Sequence, residues 1–203
     1  MSATVAVLDY GSGNLHSVSR ALAHVGADVC VVDQPEDVAG DAVLIPGVGH
    51  FGQCARALRA AGFEAPIRSA VSDGRPVIGV CVGMQILFEA SEEDDEPGLG
   101  ILPGVVRRLP ETVRVPHMGW NTVSWAGRRH PFVADIPDQT SFYFVHSFAP
   151  DVDAATTVGA TTYGRTFAAA VAKDNVFATQ FHPEKSGDAG LAVYERFVQA
   201  VAA

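Results

Sequence analysis

The sequence is poor in cysteine and in positive charge, and it has no long apolar segment. Its 203 residues include three cysteines at wide spacing, Cys30, Cys54 and Cys81, which argues against a disulfide framework or a closed zinc site. Lys and Arg number 14 against 23 Asp and Glu, and the net charge of −9 argues against a broad surface for nucleic acid or anionic lipid. No apolar run approaches the roughly 20 residues that span a bilayer. The N-terminus lacks the basic region of a secretory signal, so a cytoplasmic protein is expected.

Motifs that bind metals or nucleotides are also missing. No C-x-x-C pair is present, which excludes the pattern of the zinc deaminases. Gly11-Ser12-Gly13 follows a predicted strand, but His16 stands where a dinucleotide-binding loop has its third glycine. No Walker A sequence occurs either. We therefore predict no metal and no cofactor.

Apolar residues make up 48% of the chain, enough for a buried core, and we predict one domain over residues 1–203. In the first half, predicted strands (4–8, 28–32, 42–45, 76–80) alternate with helices (from 15 to Gly26, 51–61, 64–72, 83–90). This alternation is typical of a mainly parallel sheet covered on both faces. The second half has short strands (105–109, 142–145, 156–162, 168–172, 177–181) and a last helix (191–201). We predict a three-layer α/β/α fold with a mainly parallel central sheet and antiparallel additions in the C-terminal half.

The segment Gly79-Val80-Cys81-Val82-Gly83 places a cysteine between a predicted strand and a helix. A nucleophile at such a sharp junction needs small neighbours so that the strained turn can form. The free N–H groups of the following helix favour a thiolate over a thiol. The alternative is a small buried core residue, which is how we interpret Cys30, and we assign no role to Cys54.

The segment Phe181-His182-Pro183-Glu184 offers a partner for this cysteine. In extended backbone, which a following proline favours, His182 and Glu184 project to the same side. A carboxylate can then orient one imidazole nitrogen while the other faces a thiol, as in a nucleophile–base–orienter triad. The apolar run 176–181 would put His182 at a strand end, where ligand sites gather in open α/β sheets. A surface turn is the alternative for an isolated H-x-E.

The glycine-rich loop Pro46-Gly47-Val48-Gly49 directly follows a predicted strand. Its backbone N–H groups could bind the oxyanion of an acyl transfer, with Val82 supplying a second donor. A phosphate-binding loop or a plain tight turn remains open. The acidic run 92–96 fits a solvated loop.

Together these segments resemble the class I (triad) glutamine amidotransferases, and within them the glutaminase subunits of imidazole glycerol phosphate synthase. The resemblance spans almost the whole chain. It is carried by Asp9-Tyr10-Gly11-Ser12-Gly13-Asn14-Leu15, Pro46 to Gly52, Gly79 to Gln85, Pro116-His117-Met118-Gly119-Trp120-Asn121, Tyr143-Phe144-Val145-His146-Ser147 and Gln180 to Ser186.

The resemblance implies a role for each matching residue. Cys81 would attack the carboxamide of glutamine to give a γ-glutamyl thioester and release ammonia, with His182 as general base and acid and Glu184 orienting it. The oxyanion site would comprise Gly47, Val48, Gly49 and Val82. The substrate would be held by Gln85, Glu93, Ser147 and Phe148, which makes Glu93 functional within the acidic run.

The resemblance also implies a partner. Ammonia would pass to a cyclase subunit, which is a (β/α)₈ barrel that forms a heterodimer with this chain and converts PRFAR to imidazole glycerol phosphate and AICAR in histidine biosynthesis. The partner interface and ammonia passage would involve His117, Met118, Gly119, Trp120, Asn121 and Lys185. Core packing of Met118 and Trp120 is the alternative, although an exposed Trp-Met patch is otherwise hard to justify on a soluble monomer.

Two departures from the pattern are minor: Val82 and Phe148 stand where many relatives have leucine and tyrosine. The loop 47–49 would need a peptide rotation before it presents an oxyanion donor, and in this family it waits for the partner. A different triad amidotransferase would share the elbow and H-P-E but not the segment 116–121. A non-catalytic partner-binding module on the same fold predicts a missing triad member, and none is missing.

Overall fold

The computed structural model describes residues 2–125 and 130–202. Five helices and twelve strands lie in these two ranges. The helices are α1 (Leu15–His24), α2 (Phe51–Ala60), α3 (Glu64–Ser72), α4 (Val82–Gln85) and α5 (Gly187–Val201). The strands are β1 (Thr4–Leu8), β2 (Asp28–Val32), β3 (Ala42–Ile45), β4 (Val77–Val80), β5 (Ala90–Ser91), β6 (Val105–Arg108), β7 (His117–Val123), β8 (Thr140–His146), β9 (Phe148–Pro150), β10 (Thr157–Tyr163), β11 (Arg165–Lys173) and β12 (Val176–Thr179).

A seven-stranded sheet in the order β10-β11-β12-β4-β3-β1-β2 forms the centre of the molecule. The five strands from β12 to β2 pair in parallel, whereas β10 and β11 add to them antiparallel. Strands β3, β4 and β12 are buried at every residue because helices cover both faces, which explains their continuous apolar sequences. The predicted α/β fold is confirmed.

Two apolar cores lie on opposite faces of this sheet. One face packs against α2 and α3 through Phe51, Leu58 and Ile67, and the other packs against α1 and α5 through Leu22 and Phe197. Two small sheets, β5-β6-β9 and β7-β8, are built onto the central one. Within the described residues, no helix is long and apolar enough to cross a membrane.

The helix predicted at 83–90 is wrong, because α4 ends at Gln85. The carbonyls of Ile86, Leu87 and Phe88 accept hydrogen bonds from the backbone of residues 99–102 instead of from a continuing helix. Ala90 then begins strand β5 beside β6. The capture of these carbonyls by a later segment ends the helix after a single turn.

The last helix begins at Gly187, four residues earlier than the predicted 191. Gly187 and Gly190 have low helix propensity, which masked the first turn in the sequence. Gly190 is required by packing, since a Cβ there would lie 1.9 Å from the carbonyl oxygen of Pro183. This close approach ties the start of α5 to the segment that carries His182.

Candidate active site

Three neighbouring parallel strands, β3, β4 and β12, lead into one pocket. The loop after β3, Cys81 directly after β4, and His182 shortly after β12 all reach it. The pocket encloses about 230 Å³. Its lining comprises Val48, Gly49, Cys81, Val82, Gln85, Glu93, Pro116, Val145, His146, Ser147, Phe148 and His182. The pocket thus brings together the predicted nucleophile, base, oxyanion loop and substrate residues.

Cys81 has a backbone conformation that is rare for a residue with a side chain, with φ 55° and ψ −112°. The turn is so tight that a Cβ on Gly83 would lie 2.0 Å from the carbonyl oxygen of Ile45, and one on Gly79 would lie 2.8 Å from that of Gly83. Only glycine fits at these two positions. Local strain of this kind is typical of functional sites, and here it presents the thiol at the start of α4.

His182 and Glu184 form a buried hydrogen-bonded pair. The distance from Nδ1 of His182 to Oε1 of Glu184 is 2.8 Å, and the two side chains are 1% and 0% exposed. The predicted pairing is present and His182 itself is extended as predicted, but the extension predicted to continue to Glu184 is wrong. Glu184 lies in a 3₁₀ turn, Pro183–Lys185, which folds its carboxylate back toward the imidazole. Ser186 supports this turn by donating from Oγ to the carbonyl oxygen of His182 at 2.7 Å.

The second ring nitrogen of His182, Nε2, is buried and has no hydrogen-bond partner in the described part of the chain. Burial disfavours the imidazolium, but the interactions with Cys81 and with Glu184 outweigh it and raise the pKa of His182 to about 10. An imidazole oriented by a carboxylate and coupled to a thiol can accept and return a proton. This is the arrangement that nucleophilic catalysis requires.

The predicted oxyanion loop lies at the pocket, but two of the four predicted N–H donors are already engaged. The N–H of Val82 donates to the carbonyl oxygen of Gly47 at 3.2 Å. The N–H of Val48 donates to Oγ of Ser12 at 3.5 Å. In this resting form the N–H groups of Val82 and Val48 are therefore both engaged outside an oxyanion site, and the rotation of the loop stays a prediction.

Three side chains hold this resting loop, and no role was predicted for any of them from the sequence. The hydroxyl of Tyr10 donates to the carbonyl oxygen of Pro46. The carbonyl oxygen of Val48 accepts from Oγ of Ser12 at 2.9 Å and from Sγ of Cys54 at 3.4 Å. Burial is the main cause that raises the pKa of Cys54, which keeps its thiol protonated as a donor.

All four predicted substrate residues line the pocket. Both N–H groups of the Gln85 amide are already committed, to the carbonyl oxygen of Phe148 and to Oε1 of Gln180, each at 2.9 Å. Only the Oε1 acceptor of Gln85 remains for a ligand. Oε2 of Glu93 accepts from the N–H of Phe51 at 2.7 Å, so the first turn of α2 fixes this carboxylate at the pocket.

The five predicted interface residues of β7 divide between two faces. Met118 and Trp120 are 63% and 59% exposed, which excludes the core alternative for both. His117 is 3% exposed, so the expectation that it faces a partner is wrong. Successive strand residues point to opposite sides, and the odd-numbered ones turn inward, with Gly119 and Asn121 half-buried. Lys185 is exposed.

His117 instead joins a buried chain that ends at the pocket. Its Nδ1 lies 3.0 Å from Nε2 of His146, whose Nδ1 lies 2.9 Å from the carbonyl oxygen of Phe148. The ring of His117 stacks between Phe144 and Tyr163, with centroids 5.0 and 4.0 Å away. Burial lowers the pKa of His146 to about 3 and that of His117 to about 4, so both rings are neutral near pH 7.

The model of the family "Glutamine amidotransferase class-I" matches residues 6–200. Imidazole glycerol phosphate synthase subunit HisH of Synechococcus sp. (strain JA-3-3Ab) is 47% identical over 203 residues, covering 98% of this chain and 94% of that protein. The protein of the same name from Acinetobacter baylyi (strain ATCC 33305 / BD413 / ADP1) is 46% identical over 200 residues, covering 96% and 97%.

Solved structures share the fold at low sequence identity. PurLQS from Thermotoga maritima superposes with a TM-score of 0.77 at 20% identity, covering 98% of this chain and 99% of that chain. The glutaminase domain of CTPS from Trypanosoma brucei, solved with bound acivicin, gives 0.70 at 19% identity, covering 98% and 93%. These two likenesses concern the fold alone.

Proposed function

The chain belongs to the class I glutamine amidotransferase family, and we propose that it is the glutaminase subunit of an imidazole glycerol phosphate synthase, acting in histidine biosynthesis. Relatives with that name, 46–47% identical over nearly the full length, support the assignment. The observation that carries the activity is the meeting of Cys81 on its strained turn with the buried His182–Glu184 pair in one pocket.

The first half of the reaction forms an acyl-enzyme. His182 takes the thiol proton, and Sγ of Cys81 adds to the side-chain amide carbon of glutamine. His182 then gives that proton to the leaving nitrogen as the C–N bond breaks, which yields ammonia and a γ-glutamyl thioester. Glu184 keeps the imidazole oriented and stabilises its charged form, in line with the raised pKa of His182.

The second half returns the enzyme to its starting state. His182 takes a proton from water, and the resulting hydroxide equivalent adds to the thioester carbon. The C–S bond breaks, glutamate leaves, and the proton returns to the sulfur of Cys81. The tetrahedral oxyanion of each half needs the N–H of Val82 and an N–H of the loop 47–49, which are engaged elsewhere in the resting form.

The ammonia serves a cyclase partner, a (β/α)₈ barrel that forms a heterodimer with this chain and converts PRFAR to imidazole glycerol phosphate and AICAR. The exposed Met118, Trp120 and Lys185 support a docking surface beside the pocket. The closed resting loop supports gating: binding of the liganded cyclase would turn the Gly47–Val48 peptide and free the N–H of Val82. The isolated chain would then hydrolyse glutamine slowly despite its complete triad.

Glutamate release from glutamine by the purified chain tests this proposal, measured alone, with the cyclase, and with the cyclase plus its ligand. A Cys81→Ala variant controls for contaminating glutaminase. We expect release to rise with the liganded cyclase and to vanish in the control. Equal release in all three conditions would keep the triad but contradict the gating and the partner. No release in any condition would favour a non-catalytic binding module on this fold.

A further inference from the structure

Gln180 is a fully buried polar side chain that touches the predicted nucleophile. It follows β12 and is 0% exposed. Its Nε2 lies 3.7 Å from Sγ of Cys81, within hydrogen-bonding range for sulfur, and its Oε1 lies 2.9 Å from Nε2 of Gln85. Burying an amide costs free energy unless its polar atoms make hydrogen bonds. Here one of the hydrogen-bond partners of the Gln180 amide is the sulfur of Cys81.

The orientation of the Gln180 amide follows from its neighbours. An amide turned by half a rotation exchanges its oxygen and nitrogen, so its direction must come from the hydrogen-bond network. The carbonyl oxygen of Phe148 can only accept, so Gln85 must present Nε2 to it. The other N–H of that nitrogen points to Gln180, which must then present Oε1 in return. The NH₂ of Gln180 is thereby left facing Cys81.

The carbonyl oxygen of Phe148, from which this assignment starts, also accepts a hydrogen bond from the buried histidine pair His117 and His146. Nδ1 of His146 donates to the carbonyl oxygen of Phe148, so its Nε2 must accept from Nδ1 of His117. Nε2 of His117 in turn accepts from Nδ2 of Asn121 at 3.3 Å. Asn121 is itself fixed, because its Nδ2 donates to the carbonyl oxygen of Thr162 and its Oδ1 accepts from a backbone N–H. The hydrogen-bond directions derived from Asn121 and those derived for Gln180 therefore agree, because both have the carbonyl oxygen of Phe148 as an acceptor.

We propose that Gln180 is a further residue of the catalytic site, whose amide N–H donates to the sulfur of Cys81 and stabilises negative charge on it. The inference rests on the proposed function only in taking Cys81 as the nucleophile. A donor held toward sulfur stabilises a thiolate more than a neutral thiol, because hydrogen bonds to charged acceptors are stronger. Gln85 serves as its positioning residue, in addition to lining the pocket.

The test replaces Gln180 with leucine, which has a similar volume and no donor, and measures the rate at which iodoacetamide alkylates Cys81. Peptide mass spectrometry resolves Cys81 from Cys30 and Cys54. We expect the rate at pH 7 to fall by roughly three- to tenfold, after allowing for the greater reactivity of a more basic thiolate. Gln199→Leu, the same change on the exposed side of α5, should leave the rate unchanged.

Gln180→Glu separates the donor role from a packing role. When ionised, the glutamate offers no donor and repels the thiolate, whereas its protonated form can again donate an O–H to the sulfur. The alkylation deficit relative to the unsubstituted chain should therefore shrink as the pH falls from 9 to 6. A defect in packing alone would give a deficit that does not depend on pH.

Each outcome decides the proposal. A folded Gln180→Leu chain that is alkylated at the original rate overturns it, and so does a Gln180→Glu deficit that is constant with pH. If Gln180→Leu does not fold, the Gln180→Glu profile decides alone. If the unsubstituted chain hydrolyses no glutamine but Gln180→Leu slows alkylation, the proposed function fails while this inference holds.

Discussion

Releasing the resting oxyanion loop should activate the isolated chain. The carbonyl oxygen of Val48 accepts from Ser12 at 2.9 Å and from Cys54 at 3.4 Å, and Ser12→Ala with Cys54→Ala removes both donors. A neutral hydrogen bond contributes about 0.5–1.5 kcal/mol. Val48 is 39% exposed, so water can replace part of the lost hydrogen bonding. We therefore take about 1–1.5 kcal/mol for the Ser12 and Cys54 hydrogen bonds together. The population of the turned loop should rise about five- to twelvefold.

The assay is glutamate release by the isolated double variant at saturating glutamine, without the cyclase. The rate of glutamate release should rise by the same factor as the population of the turned loop. The further activation by the cyclase should shrink by that factor, because the substitutions and the cyclase shift the same loop equilibrium. Cys30→Ala is the matched control, since Cys30 lies on the edge strand β2, away from the loop after β3. The interpretation of Cys30 as a buried core residue is wrong, because the structure exposes it. A double variant with an unchanged unfolding curve and an unchanged basal rate would refute the view that these contacts limit the reaction.

Three further outcomes follow from the structure. Gly83→Ala places a Cβ 2.0 Å from the carbonyl oxygen of Ile45. We therefore expect the free energy of unfolding in urea to fall by about 1–3 kcal/mol and glutamate release to be lost. A fully active variant would contradict the strained turn described at Cys81. Burial lowers the pKa of His146 to about 3 and that of His117 to about 4, so the unfolded chain binds protons that the folded chain does not. The free energy of unfolding should therefore fall as the pH drops from about 6.5 toward 4, by up to about 1.4 kcal/mol per pH unit for each histidine. Urea unfolding curves that coincide at pH 6.5 and pH 5 would contradict the lowered pKa values of the two histidines. Trp120→Ala removes a side chain that is 59% exposed. It should weaken binding of the cyclase in titration calorimetry without lowering the midpoint of thermal unfolding of the chain. An unchanged affinity for the cyclase would show that Trp120 is not part of the interface.

The inner strands of the central sheet were predictable because they are buried on both faces. Strands β1, β3 and β4 are short continuous apolar runs, and each ends at a turn signal close to the observed boundary. The helix after Cys81 was not predictable in length. Its end is set by hydrogen bonds from residues 99–102, and such a contact between distant segments leaves no periodic signal near Gln85.

The placement of Cys81 and His182 at one pocket was predictable because each residue has a local signature. The glycines on either side of Cys81 are required because a Cβ at Gly83 or Gly79 would lie 2.0 or 2.8 Å from a carbonyl oxygen, and this steric requirement is visible in the sequence as glycine. His182 and Glu184 are only two residues apart, so almost any compact turn can pair them. For that reason the two side chains pair although only His182, and not the backbone as far as Glu184, is extended.

The residues that support the site had weaker signals. Gln180 is a polar residue at the end of an apolar strand, and the buried partner that justifies it, Gln85, is 95 positions away. On β7, the alternation from His117 to Asn121 did carry information, because a strand turns alternate residues to opposite faces. Treating the whole segment as a single outward surface ignored that period. One face of β7 presents Trp120 to solvent and the other carries His117 toward the Phe148 carbonyl, so the proposed docking surface and the hydrogen-bond chain that reaches the pocket share one strand.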